Sequence, residues 1–146
     1  MTSEPTSDMT SAIDETIDRY YEAWTTHDHT LYRTIWTSDA TFADPPADDE
    51  PPPRGMDEIV AGMDQVWERA NSISYDRQGI WRCGSAVAVH VKVTMATPDS
   101  TLAIPLIHVF RFRSALIARL EAFLDLDLAE VVSGTRPGWL PAAKCS

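Results

Sequence analysis

The 146-residue sequence predicts an α+β fold. Three N-terminal helices pack on one face of a curved, mainly antiparallel sheet and close it into a cone-shaped α+β barrel. Two features carry this reading. Apolar residues recur every three to four positions up to about residue 71, then alternate one by one from about residue 74. With 44% hydrophobic and 23% charged residues, the chain has the composition and length of one globular domain with one core.

The polar residues 1–10 have neither the basic start nor the apolar centre of a signal peptide, and are expected to be a disordered leader. Thr10 or Ser11 caps a first helix reaching about Thr26, with Ile13, Ile17, Tyr20 and Trp24 on one face. Asp14, Glu15, Asp18, Arg19 and Glu22 fall mostly on the other side, so the helix is amphipathic and its apolar stripe must cover something. The polar run Thr25-Thr26-His27-Asp28-His29 breaks it. Leu31, Ile35 and Trp36 fit a second, short helix, Ser38-Asp39 signals a turn, and residues 40–43 are extended.

Residues 44–53 hold five prolines and, beyond Asp44, the acids Asp48, Asp49 and Glu50. Such a stretch is neither helix nor central strand and reads as a stiff surface loop. Pro45 drives Asp44 into the extended region, because its ring clashes with a helical predecessor. Gly55 then precedes a third helix over residues 56–71, with Ile59, Val60, Met63 and Trp67 as its stripe.

Strands are expected at 74–78, 80–83, 86–95, 102–113 and 117–128, with turns at Pro98-Asp99-Ser100 and Ser114-Ala115. Val87, Val89, Val91, Val93 and Met95 point one way along the third of these, and Ile104, Leu106, His108, Phe110 and Phe112 share a face of the fourth. The domain spans 11–132, and 133–146 is a C-terminal tail. A cone of this kind leaves a pocket in its mouth.

Several function classes drop out. A formal net charge of −10 repels phosphate backbones, so nucleic acid is not a partner. No apolar run is long enough to span a bilayer, and a cytoplasmic protein without a membrane partner is expected. Cys83 and Cys145 make neither a disulfide frame nor a zinc site. The sequence has no nucleophile elbow, phosphate-cradling loop or dinucleotide fingerprint, so no cofactor is expected. His27-Asp28-His29 suggests metal ligation, but it lies where a helix break calls for polar residues and no distant ligand set is legible. No metal is expected.

The run Ala40-Thr41-Phe42-Ala43-Asp44-Pro45, a proline-rich loop, then Arg54-Gly55 and a helix with Ile59, resembles the ketosteroid isomerases and the related SnoaL-like polyketide cyclases of the nuclear-transport-factor-like cone fold. Arg19-Tyr20 resembles the isomerase pair that supplies the oxyanion-hole tyrosine, and Ile107-His108-Val109-Phe110-Arg111-Phe112 resembles the strand that carries its second donor. Glu121-Ala122-Phe123-Leu124 is similar to the last isomerase strand, and the resemblance covers roughly residues 12–130. It implies Asp44 as general base, Tyr20 as neutral donor and a homodimer formed through the outer face of the sheet. It also implies His108 as donor or general acid, where the isomerases carry a protonated Asp. SnoaL-like cyclases use an aspartate on a late strand, which makes Asp125 the reserve catalytic candidate.

A carboxylate in an apolar pocket has a raised pKa and removes or relays a proton near neutral pH, while nearby donors stabilise the oxyanion that forms. Histidine in place of a protonated acid favours cyclisation or dehydration over simple double-bond migration. The expected activity is therefore a cofactor-independent acid–base enzyme for a hydrophobic polycyclic or polyketide-like small molecule. Trp24, Phe42, Met63, Trp67, Leu106, Phe110 and Leu124 are its expected substrate contacts. The alternatives are an epoxide hydrolase or epoxide-opening ether cyclase, a steroid delta-isomerase, and a non-catalytic small-molecule-binding module. The Asp-Arg-Asp set of the limonene-epoxide type of hydrolase is not found at suitable spacing.

Overall fold

Helix α1 (Ser7–Thr26) starts before the expected cap, so residues 7–10 form its opening turns and not a leader. The computed structural model describes residues 7–43, 53–83 and 86–124. Asp44, Asp125 and the tail lie outside these residues, as does the side chain of Leu124. After α1 come α2 (His29–Arg33), β1 (Trp36–Ala43), α3 (Met56–Trp67), β2 (Ser72–Cys83), β3 (Ala86–Ala96), β4 (Thr101–Arg113) and β5 (Leu116–Leu124). Three helices and five strands are thus present among the described residues, but the helices are not consecutive, because β1 comes between α2 and α3.

The sheet order is β1-β5-β4-β3-β2. The pairs β2–β3, β3–β4 and β4–β5 are antiparallel, and β1 lies parallel to β5. Trp36 begins β1 and does not end α2. Thr34 closes the helix instead, its backbone and side chain both donating to the Leu31 carbonyl. Ser38-Asp39 is not a turn but the exposed part of a register shift inside β1. There Asp39 accepts from the Thr37 hydroxyl at 3.0 Å and from Arg113 at 3.4 Å. The two strands expected either side of Gly79 are one strand, with a bulge between Arg77 and Gly79. Pro105 sits in central β4, opposite Lys92 of β3, and the ladder to β5 begins one residue later at Leu106. The missing N–H of Pro105 therefore falls outside the β5 pairing.

The turn Ser114-Ala115 has φ values of 51° and 65°, the two-residue hairpin geometry that matches strand twist. Neither residue is glycine, so each stands against its Cβ preference. The turn is held by Thr16 of α1, whose hydroxyl donates to the Ala115 carbonyl at 2.7 Å. Ala115→Gly is expected to raise unfolding stability by about 1 kcal/mol, read as a higher urea midpoint at unchanged slope.

The main core lies between the helices and one face of the sheet. Ile17, Tyr20, Tyr32, Ile35, Met63 and Phe110 are among its fully buried side chains. By strand alternation Val87, Val89 and Val91 of β3 face the same interior, and a smaller cluster of Ala88, Ile107, Val109 and Phe123 occupies the opposite face.

Candidate active site

His108 is fixed by the register of three strands. It stands opposite Val89 on β3 and Ala122 on β5, and Leu106 and Phe110 flank it on its own strand. All four neighbours are apolar, and the ring is only 2% exposed. Helix α1 lies over it. Tyr21 and His108 share a hydrogen bond of 2.9 Å between the phenolic oxygen and Nδ1, with the rings stacked at 5.7 Å. Tyr20 presents its ring edge-on to His108 at 5.7 Å. On β2, Tyr75 packs against the Tyr21 ring at 5.0 Å. The Arg77 guanidinium lies 4.7 Å above that ring and pairs with Asp18 of α1 at 2.6 Å.

The electrostatics follow from burial. With no charge beside it among the described residues, His108 loses its hydration on burial, and its pKa is pushed down to about 3. The ring is neutral at neutral pH. Burial also raises the Tyr21 phenol well above its usual 10.0, with Tyr75 adding to the shift and Arg77 opposing it. A protonated phenol beside a neutral imidazole donates to it, so Tyr21 O–H donates to Nδ1 and the proton of the ring sits on Nε2. Among the described residues the Tyr21 contact is the one hydrogen bond His108 makes. Nε2–H remains a donor for a bound molecule.

The sequence singled out Tyr20, and the hydrogen bond belongs to its neighbour. Ile13, Ile17 and Tyr21 form an unbroken i, i+4 row, so both Tyr20 and Tyr21 fall on the buried face of α1. Tyr20 sits among Tyr32, Trp36 and Phe110, at 5.9, 6.2 and 5.2 Å between ring centres. Tyr75 and Arg77 were also missed. The i, i+2 spacing on β2 was the available signal for them.

A cavity of about 210 Å³ opens between α1, β1 and α3. Its lining among the described residues is Trp24, Phe42, Pro53, Ile59, Gly62, Met63 and Val66. Three expected substrate contacts, Trp24, Phe42 and Met63, are thereby brought together. Trp67 is not among them: its indole donates to the Trp24 carbonyl at 3.0 Å and its ring stacks under His27. Leu106 packs, half-buried, against the main core, and Phe110 lies beside Tyr20. The cavity does not reach the histidine directly. A file of rings separates them, Phe42 on Trp36 at 5.9 Å, Trp36 on Tyr20 at 6.2 Å and Tyr20 on His108 at 5.7 Å.

Both ends of the segment 44–52 are pinned at this cavity. Phe42 N–H donates to the Pro53 carbonyl at 3.1 Å, and Gly55 N–H donates to the Ala40 carbonyl at 2.8 Å. Gly55 has φ +83°, which permits the sharp entry into α3. Asp44 leaves β1 two residues after Phe42, a lining residue, and its own position is outside the described residues.

Many solved structures share the fold. A candidate SnoaL-like polyketide cyclase from Jannaschia sp. CCS1 superposes with a TM-score of 0.70 at 16% identity, covering 92% of this chain and 99% of that one. A protein with a ketosteroid isomerase-like fold from Catenulispora acidiphila, in complex with trimethylamine, gives 0.67 at 18% identity over 87% and 98%. An epoxide hydrolase of M. tuberculosis, described as LEH-like, gives 0.68 at 14% identity over 90% and 99%. No curated protein matches the sequence. No helix among the described residues is long and apolar enough to cross a membrane. The SnoaL-like domain model matches residues 17–120, a span that runs from α1 through the Tyr21–His108 pair into β5, and the chain belongs to that family.

Proposed function

We propose that this chain is a cofactor-independent acid–base enzyme that cyclises or dehydrates a hydrophobic, polyketide-like small molecule. The observation that carries the reading is the buried Tyr21–His108 hydrogen bond, set among the apolar strand neighbours of the histidine. A polar pair costs free energy in such a core unless it is satisfied, and here one donor, Nε2–H, is left for a ligand oxygen. In the proposed mechanism Asp44 takes the proton from carbon or hydroxyl, and the developing oxyanion receives the hydrogen bond from His108 Nε2–H. The protonated Asp44 then gives its proton to the oxyanion in cyclisation or to the departing hydroxyl, which leaves as water, in dehydration. Tyr21 sets the tautomer and is a positioning residue. Tyr20 walls the site beside them. Asp125 remains the reserve base.

The size of the cavity limits the substrate. About 210 Å³ lies below the roughly 300 Å³ at which drug-sized pockets begin. One or two fused rings fill it, and because Trp36 and Tyr20 stand between the cavity and His108, those rings must move for the substrate oxygen to reach Nε2–H. The proposal includes a homodimer, as the family resemblance implies.

The test is a turnover screen with one- to three-ring ketones, hydroxyketones and epoxides in water enriched in oxygen-18. Cyclisation or dehydration yields product with no label beyond carbonyl oxygens that exchange with water in controls without protein. Labelled diol identifies an epoxide hydrolase and replaces the proposed reaction. Saturable binding of these compounds with no turnover of any of them identifies a binding module and sinks the enzyme reading.

A further inference from the structure

Outside the cone, the structure assembles a ligand set that the sequence leaves in pieces. His27 and His29 flank the break between α1 and α2, and Asp64 lies in the last turn of α3. His27 Nε2 stands 2.9 Å from Asp64 Oδ1 and 3.1 Å from His29 Nε2, and His29 Nε2 also contacts Asp64 Oδ1. All three ligand atoms fall within 4.8 Å of one another. We propose that His27, His29 and Asp64 form a site for a borderline divalent transition metal of the zinc type.

Four features support the site independently of that proximity. The first is chemical. Two imidazole nitrogens and one carboxylate oxygen suit zinc, cobalt, nickel or copper, whereas magnesium and calcium prefer all-oxygen shells. The second is spacing. Bonds of about 2.0–2.2 Å to a tetrahedral ion place ligand atoms about 3.3–3.5 Å apart. The His27–Asp64 and His27–His29 separations therefore need to open by only a few tenths of an ångström, while the closer His29–Asp64 contact must open by about an ångström. The side chains are 37%, 47% and 40% exposed, which leaves room for that movement and open coordination positions for water or another ligand.

The third is preorganisation. His27 is the left-handed residue that ends α1, with φ 54°, and Asp28 N–H donates back to the Ala23 carbonyl at 2.9 Å. Glycine is the usual residue there, and histidine occupies it against its backbone preference. Its ring is held parallel to Trp67, 5.1 Å away and tilted by 10°. Asp28 caps α2 by accepting from Leu31 N–H at 3.0 Å, which fixes His29 as the first residue of that helix. Two adjacent caps thus hold both histidines.

The fourth is the local field. The C-terminal end of α1 and the last turn of α3 both meet at the cluster, and neither carries a lysine or arginine in its last turn. Two negative helix ends favour a cation at that point. The opposing N-terminus of α2 belongs to a five-residue helix.

Metal binding would clamp the α1–α2 break to α3, the helix that walls the cavity. The site is independent of the proposed reaction, and its test needs no substrate. The full chain, free of any affinity tag and stripped with chelator, is titrated with zinc by calorimetry and with cobalt by visible absorption. The expected result is one equivalent bound per chain, with cobalt bands of a four- or five-coordinate ion and no competition from excess magnesium. Asp64→Asn and His29→Ala should each weaken zinc by at least about 10–100-fold, the range seen even for residues that only support a ligand. His27→Gly removes a ligand while easing the backbone, so it should weaken zinc equally in a chain at least as stable without metal. Added zinc should raise the Tm of the parent chain and leave that of Asp64→Asn unmoved. Zinc binding that survives when His27→Gly, His29→Ala and Asp64→Asn are combined, or an absence of binding in the parent chain, overturns the proposal.

Discussion

Asp44→Asn is expected to lower kcat by about 10²–10⁴-fold with little change in KM, because the amide keeps the shape of the carboxylate but cannot take a proton. His108→Leu is expected to cost about 10²–10³-fold, the usual effect of removing one oxyanion donor. His108→Gln distinguishes two roles. With a pKa near 3, only roughly 10⁻⁴ of the chains carry the imidazolium at pH 7, so the role proposed for His108 is that of a neutral donor and not of the acid that delivers the proton. Glutamine also donates a neutral N–H and should recover part of the loss seen with leucine. Equal inactivity of the two variants would return the general-acid role to His108. Tyr21→Phe should cost less, about tenfold. It should also shift the imidazole nitrogen-15 resonances towards a mixture of tautomers, because Nδ1 loses its donor. Full activity in Asp44→Asn would remove that residue from the reaction and leave Asp125 as the base to examine.

Much of this arrangement was legible because sheets keep a strict period of two. Alternation alone placed His108 with Leu106 and Phe110, and the ladder confirms that they share the buried face of β4. A helix is less decisive. Its stripe is broad enough to bury both Tyr20 and Tyr21, and choosing between them requires knowing which one meets the histidine. The bounds of β1 were misread because Ser38 and Asp39 carry turn chemistry, which the strand absorbs as an exposed irregularity anchored on Thr37 and Arg113. The His27–His29–Asp64 cluster was half visible. The two histidines are two residues apart in sequence, but Asp64 is 37 residues away from His27, and only the packing of α3 against the break brings it there. No periodicity encodes that meeting.

The burial that tunes His108 should also make the fold acid-sensitive at an unusually high pH. The unfolded chain binds a proton at this residue below about pH 6.5, whereas the folded chain refuses it until about pH 3. Between those values the unfolded state holds more protons, so stability falls as pH falls; above the window the contribution is fully present. The slope is about 1.4 kcal/mol per pH unit, which amounts to about 2 kcal/mol lost between pH 7 and pH 5 from this one ring. Carboxylates act lower down. Asp39 and Asp64 have their pKa values held below 3.8, so the stability they add disappears only as the solution becomes more acid than that. Urea midpoints measured from pH 7.5 to pH 4.5 for the parent chain and for His108→Gln isolate the effect. The variant loses part of its stability at every pH, because Tyr21 is left with a poorer partner, but its curve should be flatter by about 3 kcal/mol from pH 7.5 to pH 4.5. Parallel curves would mean that the folded ring accepts a proton as readily as the unfolded one. The neutral-donor role assigned to Nε2–H would then fall with it, since both rest on the same uncharged imidazole.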